Sequence, residues 1–262
     1  MFKTIRIVIL LFILAAVALA TWRAKSDAVA WKYTLTVNVF PVNGDGSAAA
    51  ERYIRALTVD EFTPLERFMR DEARRYGRAS EASIEMRLGP VLATPPPRPP
   101  SASAASTRGA HALAVMWWSL QLRWWAYQNT QVAGPGPQVK LFVLYFDPAR
   151  HSQLDHSTAL QKGLIGRVNV FADRAMSRQN NVIIAHEFLH TLGASDKYDL
   201  ATTLPIFPDG YAEPERVPAL PQTLAEIMGG RVPLSASDAA IPHSLQEVVI
   251  GTKTAQEINW LH

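Results

Sequence analysis

The stretch from residue 182 to residue 199 reads VIIAHEFLHTLGASDKYD, and it constrains the fold more than any other part of the chain. Its first eleven residues would be apolar on almost every side of a helix, so the pattern predicts a buried helix. Three ionisable side chains, His186, Glu187 and His190, interrupt the apolar run. A buried ionisable group must be paired, neutralised or bound to a metal. The stretch therefore predicts either a metal site on a buried helix or two core histidines with hydrogen-bond partners.

The spacing of the two histidines favours the metal site. Residues four apart lie on the same face of an α-helix, so His186 and His190 can each direct one ring nitrogen at a single ion. Glu187 is turned away from that pair and can reach a water molecule beside the ion without binding the ion itself. Gly193 stands where the helix is expected to end, and Asp196 follows as an oxygen donor. Two histidines and one carboxylate leave a fourth zinc position open, which is typical of catalytic sites.

The third ligand has alternatives. If Asp196 instead hydrogen-bonds a ligand histidine, the third ligand must come from elsewhere in the chain. The candidates are Glu213, Glu226 and His243, and Asp199 is a further carboxylate within the motif itself.

The tyrosines and remaining histidines are open to more than one interpretation. Tyr198 and Tyr211 could stabilise an oxyanion or simply pack against the loop. Four further histidines have no partner at ligand spacing and are interpreted as surface or core residues: His111, His151, His156 and His262.

HEFLHTLGASD resembles the extended zinc motif of the metzincin clan of metallopeptidases, H-E-x-x-H-x-x-G-x-x-H or D, in the aspartate-ending form of snapalysin-type proteases. HTLGASDKYD is also similar to the L-G-x-x-D-x-Y-D run of the immune-inhibitor-A type metalloproteases. By position, the resemblance implies that His186, His190 and Asp196 bind Zn²⁺. It also implies that Glu187 is the general base and acid and that Gly193 makes the turn.

The resemblance carries an expectation about the fold. Metzincins have a methionine turn beneath the metal, and EIMGG places Met228 where such a turn could fall. The resemblance covers about residues 164–230. It implies an α+β, zincin (metzincin-like) catalytic domain, in which a mixed sheet packs on a backing helix and an active-site helix. A Pro-rich, irregular C-terminal part with the methionine turn would follow.

Composition narrows the function classes. The chain has 262 residues and 48% hydrophobic residues, enough for one large domain with a substantial core. The formal net charge is only +3, and basic residues mostly alternate with acidic ones, as in RFMRDEARRYGR, so no nucleic-acid partner is indicated. The absence of cysteine excludes disulfides, thiolate nucleophiles and Cys-ligated zinc. His, Asp and Glu remain as metal ligands.

The N-terminus predicts export. Lys3 and Arg6 precede an uncharged apolar run over residues 7–20, which ends in Ala-Leu-Ala. We expect residues 1–25 to be a signal peptide or an N-terminal membrane anchor, and residues 26–262 to form the catalytic domain. The expected location is periplasmic or extracellular, or the membrane through the N-terminal segment.

The remaining patterns predict a sheet and several helices. Alternating or apolar runs predict strands in WKYTLTVNVF, SIEMRLG, QVKLFVLYF and LIGRVNVF, with a turn from Pro41 after the first. TPLERFMRDEARRYG predicts a helix with Thr63 as N-cap and Glu66 completing a capping box. A loop rich in Pro, Ser and Ala lies at about residues 93–107.

Two further helices are expected. HALAVMWWSLQLRWWAYQ predicts a core helix that packs against the sheet, with a membrane span or an interfacial helix as alternatives. The last helix is expected in TKTAQEINWLH.

These expectations define two functions of different classes. The first is a zinc-dependent endopeptidase acting on a peptide or protein, with Glu187 as general base. In it the strand GRVNVF would be a sheet edge on which an extended peptide pairs. The alternative is a catalytically inactive zincin-fold protein that binds or scaffolds in the cell envelope.

Overall fold

A five-stranded sheet forms the centre of the computed structural model. The structure describes residues 26–78, 83–100, 108–131, 137–160 and 163–261, with four isolated positions before residue 26. The strand order is β2-β1-β3-β5-β4. The strands are β1 (Leu35–Asn43), β2 (Ile84–Leu88), β3 (Gln138–Phe146), β4 (Thr158–Leu160) and β5 (Ile165–Phe171).

Four of the strands run parallel, and β4 runs antiparallel to β5. The sheet is therefore mixed, as predicted. The strand β1 continues through Pro41 and Val42 to Asn43, so the prediction of a turn from Pro41 is wrong. Proline fits there because its φ suits an extended chain, and pairing with β3 continues on both sides of it.

Helices cover both faces of the sheet. Alternate residues of β3 point to opposite sides, so Leu141 and Val143 enter one apolar cluster, and Phe142 and Leu144 enter another. Burial on both faces explains why the β3 sequence is an almost continuous apolar run. The helices are α1 (Ala48–Arg55), α2 (Thr63–Arg75), α3 (Arg108–Asn129), α4 (Ser177–Leu192) and α5 (Thr252–Glu257).

Helices α1, α2 and α4 pack on one face of the sheet, and α3 packs on the other. Trp118, Leu122 and Ala126 of α3 are buried against this second face. The prediction of a helix packed on the sheet is therefore right for one side of α3, while its opposite side is exposed.

The start of α2 differs from the predicted capping box. A 3₁₀ turn over Val59–Phe62 leads directly into the helix, and Thr63 is already helical. The Glu66 carboxylate instead accepts the backbone N–H of Met86 at 2.6 Å. This contact ties α2 to β2, a long-range partner that the local pattern could not indicate.

The strand β4 pairs along the outer side of β5, but only with Ile165–Arg167. The prediction that GRVNVF is the sheet edge is therefore wrong for its first two residues, while residues 168–171 have no strand partner on that side among the described residues. The edge strand on this side of the sheet is β4, which has only three residues and no alternating pattern of its own.

Regular structure after α4 is sparse, as the proline content predicts. Residues 225–249 contribute a 3₁₀ turn over Leu245–Glu247 and four two-residue strands: β6 (Ala225–Glu226), β7 (Val232–Pro233), β8 (Ala239–Ala240) and β9 (Val248–Val249). The strand β6 pairs with β9 and β7 pairs with β8. The last helix, predicted in TKTAQEINWLH, is confirmed over the first half of that stretch by α5.

The predicted export segment falls almost entirely outside the described residues. Of the loop predicted at about residues 93–107, residues 93–100 are described and contain no helix or strand, whereas residues 101–107 lie outside the described residues. Within the described part of the chain, no helix is both long and apolar enough to cross a membrane.

Two glycines allow the loop after α4 to touch the turn that follows β6. A side chain at Gly210 would overlap the Lys197 carbonyl oxygen and lie 2.7 Å from the backbone nitrogen of Ile206. A side chain at Gly229 would overlap the carbonyl oxygen of Gly210. The two segments therefore meet backbone to backbone.

We expect Gly210→Ala to lower the free energy of unfolding by about 1–3 kcal/mol, because backbone atoms cannot move aside as a flexible side chain can. Denaturant unfolding monitored by tryptophan fluorescence measures the loss. Gly163→Ala is the control, since its nearest neighbours would be 3.4 Å away. Equal stability of the two variants would contradict the packing described for Gly210.

Candidate metal centre

The end of α4 is formed as the sequence predicts. Gly193 has a φ of 116°, in the left-handed region that side chains disfavour. Its N–H and that of Ala194 both donate to the Leu189 carbonyl at 3.1 Å. This reversal turns the chain back along the helix, and it brings Asp196 over the two histidines.

Three side-chain atoms meet at this point. The Nε2 atoms of His186 and His190 are 3.0 Å apart, and each lies 3.1 Å from Oδ1 of Asp196. The three atoms form a nearly equilateral triangle. The structure therefore brings together the three residues proposed as ligands from the sequence, and Asp196 contacts both rings directly.

The far side of each ring is fixed by a backbone carbonyl. Nδ1 of His186 lies 2.9 Å from the carbonyl oxygen of Ile227, and Nδ1 of His190 lies 2.7 Å from that of Ala194. A carbonyl only accepts hydrogen bonds, so both Nδ1 atoms carry the proton. In the neutral rings, each Nε2 then presents a lone pair to the triangle. Histidines that bind metals are commonly oriented in this way, by a hydrogen bond from the ring nitrogen that does not bind the metal.

The triangle needs positive charge. Two lone pairs and a carboxylate oxygen face one another at hydrogen-bond distance, and without a proton or a cation they would repel. Burial lowers the pKa of His186, but the hydrogen bond with Asp196 and the charge of Glu187 outweigh it and raise the pKa. Burial alone would raise the pKa of Asp196, yet its hydrogen bonds with both histidines bring it well below its usual range.

A zinc ion fits this donor set. Three donors placed about 2.1 Å from a tetrahedral zinc ion lie about 3.4 Å apart, a few tenths of an ångström more than the separations in the triangle. Two imidazoles and one carboxylate are ligands that zinc accepts, and they leave one position open.

Glu187 lies beside the triangle without belonging to it. One of its carboxylate oxygens is within 4.8 Å of a ring nitrogen of both histidines. The side chain is buried, and among the described residues Oε2 has no hydrogen-bond partner. Burial raises the pKa of this carboxyl, against the opposing effect of the two histidines. An unpartnered, buried carboxylate oxygen next to a cation site is suited to accepting a proton from water.

The turn after β6 holds His186 in place through a backbone carbonyl. Met228 is fully buried in this turn, next to the Ile227 carbonyl that orients His186. Glu226 is also fully buried, and its carboxylate accepts the N–H groups of Gly229 and Gly251 at 2.8 and 3.0 Å. The Thr254 hydroxyl donates to it at 2.7 Å. Glu226 therefore organises the turn and the start of α5 rather than supplying a ligand.

The other candidate ligands are engaged elsewhere. Asp199 accepts two N–H groups and the hydroxyl of Thr202 within its own turn. Glu213 pairs with Arg216 and Thr223 on the surface, and His243 is exposed in the loop before β9.

The two candidate tyrosines, Tyr198 and Tyr211, have different surroundings. The ring of Tyr198 lies 6.4 Å from that of His186 and lines the same cleft. Burial, together with the charges of Asp196 and Glu187, raises the pKa of Tyr198 to about 12, so its hydroxyl keeps its proton at neutral pH. Tyr211 packs edge-on against Phe207 and is not among the residues that line the cleft.

The side chain of Glu257 contacts both neighbours of Asp196, Ser195 and Lys197, and we call this set of contacts the clamp. The Glu257 carboxylate in α5 accepts the backbone N–H of Ser195 at 2.9 Å and its hydroxyl at 2.8 Å. It also pairs with Nζ of the buried Lys197 at 2.8 Å, and Nζ donates to the Ser195 carbonyl. Burial alone would raise the pKa of Glu257, but these hydrogen bonds lower it. Sequence spacing gave no signal for this partner.

A cleft of about 410 Å³ opens beside the triangle. Its walls include Val182 and Ile183 from α4, Phe171 from the end of β5, and the segment from Ser152 to Ser157 that leads into β4. His156 belongs to this wall. It is exposed, as expected of a surface residue, but its place on the cleft was not predicted, because it lies outside the motif and has no ligand spacing.

The remaining histidines lie away from the triangle. His151 packs edge-on against Phe146 and lies 3.5 Å from Asp45, and His111 is on α3. His262 lies outside the described residues.

No family model matches the sequence, and no curated protein matches it either.

We expect Glu257→Gln to lower the free energy of unfolding by roughly 3 kcal/mol, because it leaves the buried ammonium of Lys197 without a charged partner. Since the folded-state pKa of Glu257 is lowered, the stabilisation is present at neutral pH and is lost as pH falls through that pKa. Denaturant unfolding of both proteins, measured from pH 7 downward, tests both statements.

Gln256 is the exposed neighbour of Glu257, so Gln256→Ala is the control and should change the free energy of unfolding little. The double variant Lys197→Met, Glu257→Leu should recover most of the stability, since it removes both charges together. A Glu257→Gln variant as stable as the unchanged protein would show that the clamp does not hold the loop.

Proposed function

We propose that the chain is a zinc-dependent endopeptidase with a zincin-like catalytic domain. The contact of Asp196 Oδ1 with both histidine Nε2 atoms carries the proposal, because it creates a three-atom donor set of the kind found in catalytic zinc sites. The resemblance of HEFLHTLGASD to the metzincin motif supports the same assignment. In this proposal α4 is the active-site helix and α2, on the same face of the sheet, is the backing helix.

The roles of the residues follow from their positions. Zn²⁺ held by His186, His190 and Asp196 would polarise a substrate carbonyl and lower the pKa of a water molecule in the cleft. Glu187 takes the proton of that water on its carboxylate and passes it to the leaving amine. Its burial supports this second step, because a raised pKa lets the carboxyl hold the proton between the two transfers.

The surroundings of the site support a polypeptide substrate. The cleft combines apolar lining residues such as Phe171 and Ile183 with polar ones such as Asn169, and its volume of about 410 Å³ is large enough for one of a substrate's side chains. The edge strand β4 follows directly after the cleft segment that ends at Ser157. An extended peptide could therefore pair with β4 while it crosses the site.

The proposed setting is outside the cytoplasm. The basic start and apolar run of residues 1–25 support export, either as a cleaved signal peptide or as an anchor.

Asp196→Asn should weaken zinc binding by more than about 100-fold, whereas Asp199→Asn should leave it unchanged. The two carboxylates stand three residues apart, so they form a matched pair that differs in contact with the histidines. Competition with a fluorescent zinc chelator at pH 7 measures both affinities.

Loss of zinc in the Asp199 variant and retention in the Asp196 variant would refute the proposed ligand set. A purified protein that binds no zinc, even after dialysis against zinc, would refute a metal site altogether and favour two hydrogen-bonded core histidines.

Glu187→Gln should reduce cleavage of an unstructured peptide library by about 100-fold or more while zinc affinity stays unchanged, because it removes the proton acceptor but preserves side-chain volume. Mass spectrometry of the peptides measures cleavage. The surface change Glu85→Gln is the control and should retain full activity.

Cleavage that survives in the Glu187 variant would refute the proposed role of this carboxylate. Zinc binding without cleavage by the unchanged protein would instead support the envelope binding or scaffolding function.

A further inference from the structure

Helix α3 has a second apolar face that the described part of the fold leaves uncovered. Six large side chains form this face, each more than half exposed, and we call it the outer stripe: Leu113, Met116, Trp117, Leu120, Trp124 and Tyr127. Their spacing of three or four residues places them in one row along the helix. The row lies opposite the side that packs on the sheet.

The outer stripe is not explained by folding. The buried side of α3 already supplies its share of the core through Trp118, Leu122 and Ala126. A contiguous apolar row on an outer surface is typical of a binding surface, because its hydration is unfavourable until something covers it.

The segment of chain that carries the outer stripe has no acidic residue. The sequence contains no Asp or Glu from residue 86 to residue 146, although the whole chain has 23 acidic residues. The same segment contains Arg98, Arg108, Arg123 and Lys140, together with Arg87, which pairs with Glu85. The indole of Trp118 donates to the Pro97 carbonyl at 3.0 Å, which places the exposed Arg98 beside α3. Electrostatic attraction therefore favours an anionic partner.

The side chains of the stripe match one kind of anionic partner. Trp117, Trp124 and Tyr127 each combine a large apolar ring with a polar N–H or O–H group, and the rings of Trp124 and Tyr127 stack at 5.9 Å. Such rings concentrate at the level of lipid headgroups, where one end is apolar and the other hydrated. Leucine and methionine alongside them suit the acyl boundary below.

We propose that the outer stripe docks on the surface of an anionic lipid bilayer, with α3 lying in the plane of the interface. A second copy of the chain is a poorer occupant, because a symmetric pair would bring two sets of arginines together without acidic residues of the same segment between them. This inference does not depend on zinc binding or peptide cleavage.

The absence of cysteine permits a direct test with the full chain. Leu120→Cys carries a nitrobenzoxadiazole label in the middle of the stripe, and Leu113→Cys labels a second position on it. Ser237→Cys is the control, an exposed site in the turn between β7 and β8. Any membrane contact of residues 1–25 is common to all variants, so only the position of the label differs.

With phosphatidylglycerol vesicles, both stripe labels should shift to shorter emission wavelength, gain intensity several-fold and resist a water-soluble quencher. With phosphatidylcholine vesicles these changes should be weaker, and the Ser237 label should not change with either vesicle. Circular dichroism checks that each variant remains folded.

Stripe labels that stay accessible to quencher on phosphatidylglycerol vesicles would overturn the proposal, as would equal changes on both lipids. Shielding without vesicles that grows with protein concentration would assign the stripe to a second copy. Shielding without vesicles at every concentration would assign it to residues of the same chain. Either result would also overturn the proposal.

Discussion

The meeting of two imidazole nitrogens and one carboxylate oxygen is the interaction on which the C-terminal half of the fold depends. All three atoms attract protons or cations, and neutral rings would leave them repelling one another. Groups behind them nevertheless hold them within 3.1 Å: the Ile227 and Ala194 carbonyls fix the rings, and Glu257 fixes the loop that carries Asp196. Hydrogen bonds from three separate parts of the chain after α4 therefore converge on one small volume.

The supports come from distant parts of the chain. The Ile227 carbonyl is 41 residues from the histidine it orients, and Glu257 is 60 residues from Lys197. Residues 194–250 contain little regular structure, so these contacts replace the backbone ladders that would otherwise fix a loop. An irregular segment can hold a site accurately when several polar contacts form one connected network.

The helix, its end at Gly193 and the return of Asp196 could be predicted from the sequence, because each is set by residues within one or two turns. The groups that surround and support the site could not be predicted from the sequence. Glu257 stands in an ordinary amphipathic pattern, His156 has no ligand spacing, and β4 is too short to carry a periodic signal. Glu66 shows the same limit, because its partner Met86 lies on a strand that the local capping pattern does not include. Local rules identify the donors of the site, while tertiary pairing decides what surrounds them.

The sheet separates α3 from α4, and this separation has a geometric consequence. A helix layer packs about 10 Å from a sheet, so the two helix axes are about 20 Å apart. If α3 rests on a bilayer, the cleft beside α4 faces the aqueous side at about that height. A chain segment lying in the headgroup region could not enter it without first extending outward. The fold would then favour loops and tails that project from the membrane, and it would spare polypeptide embedded within it.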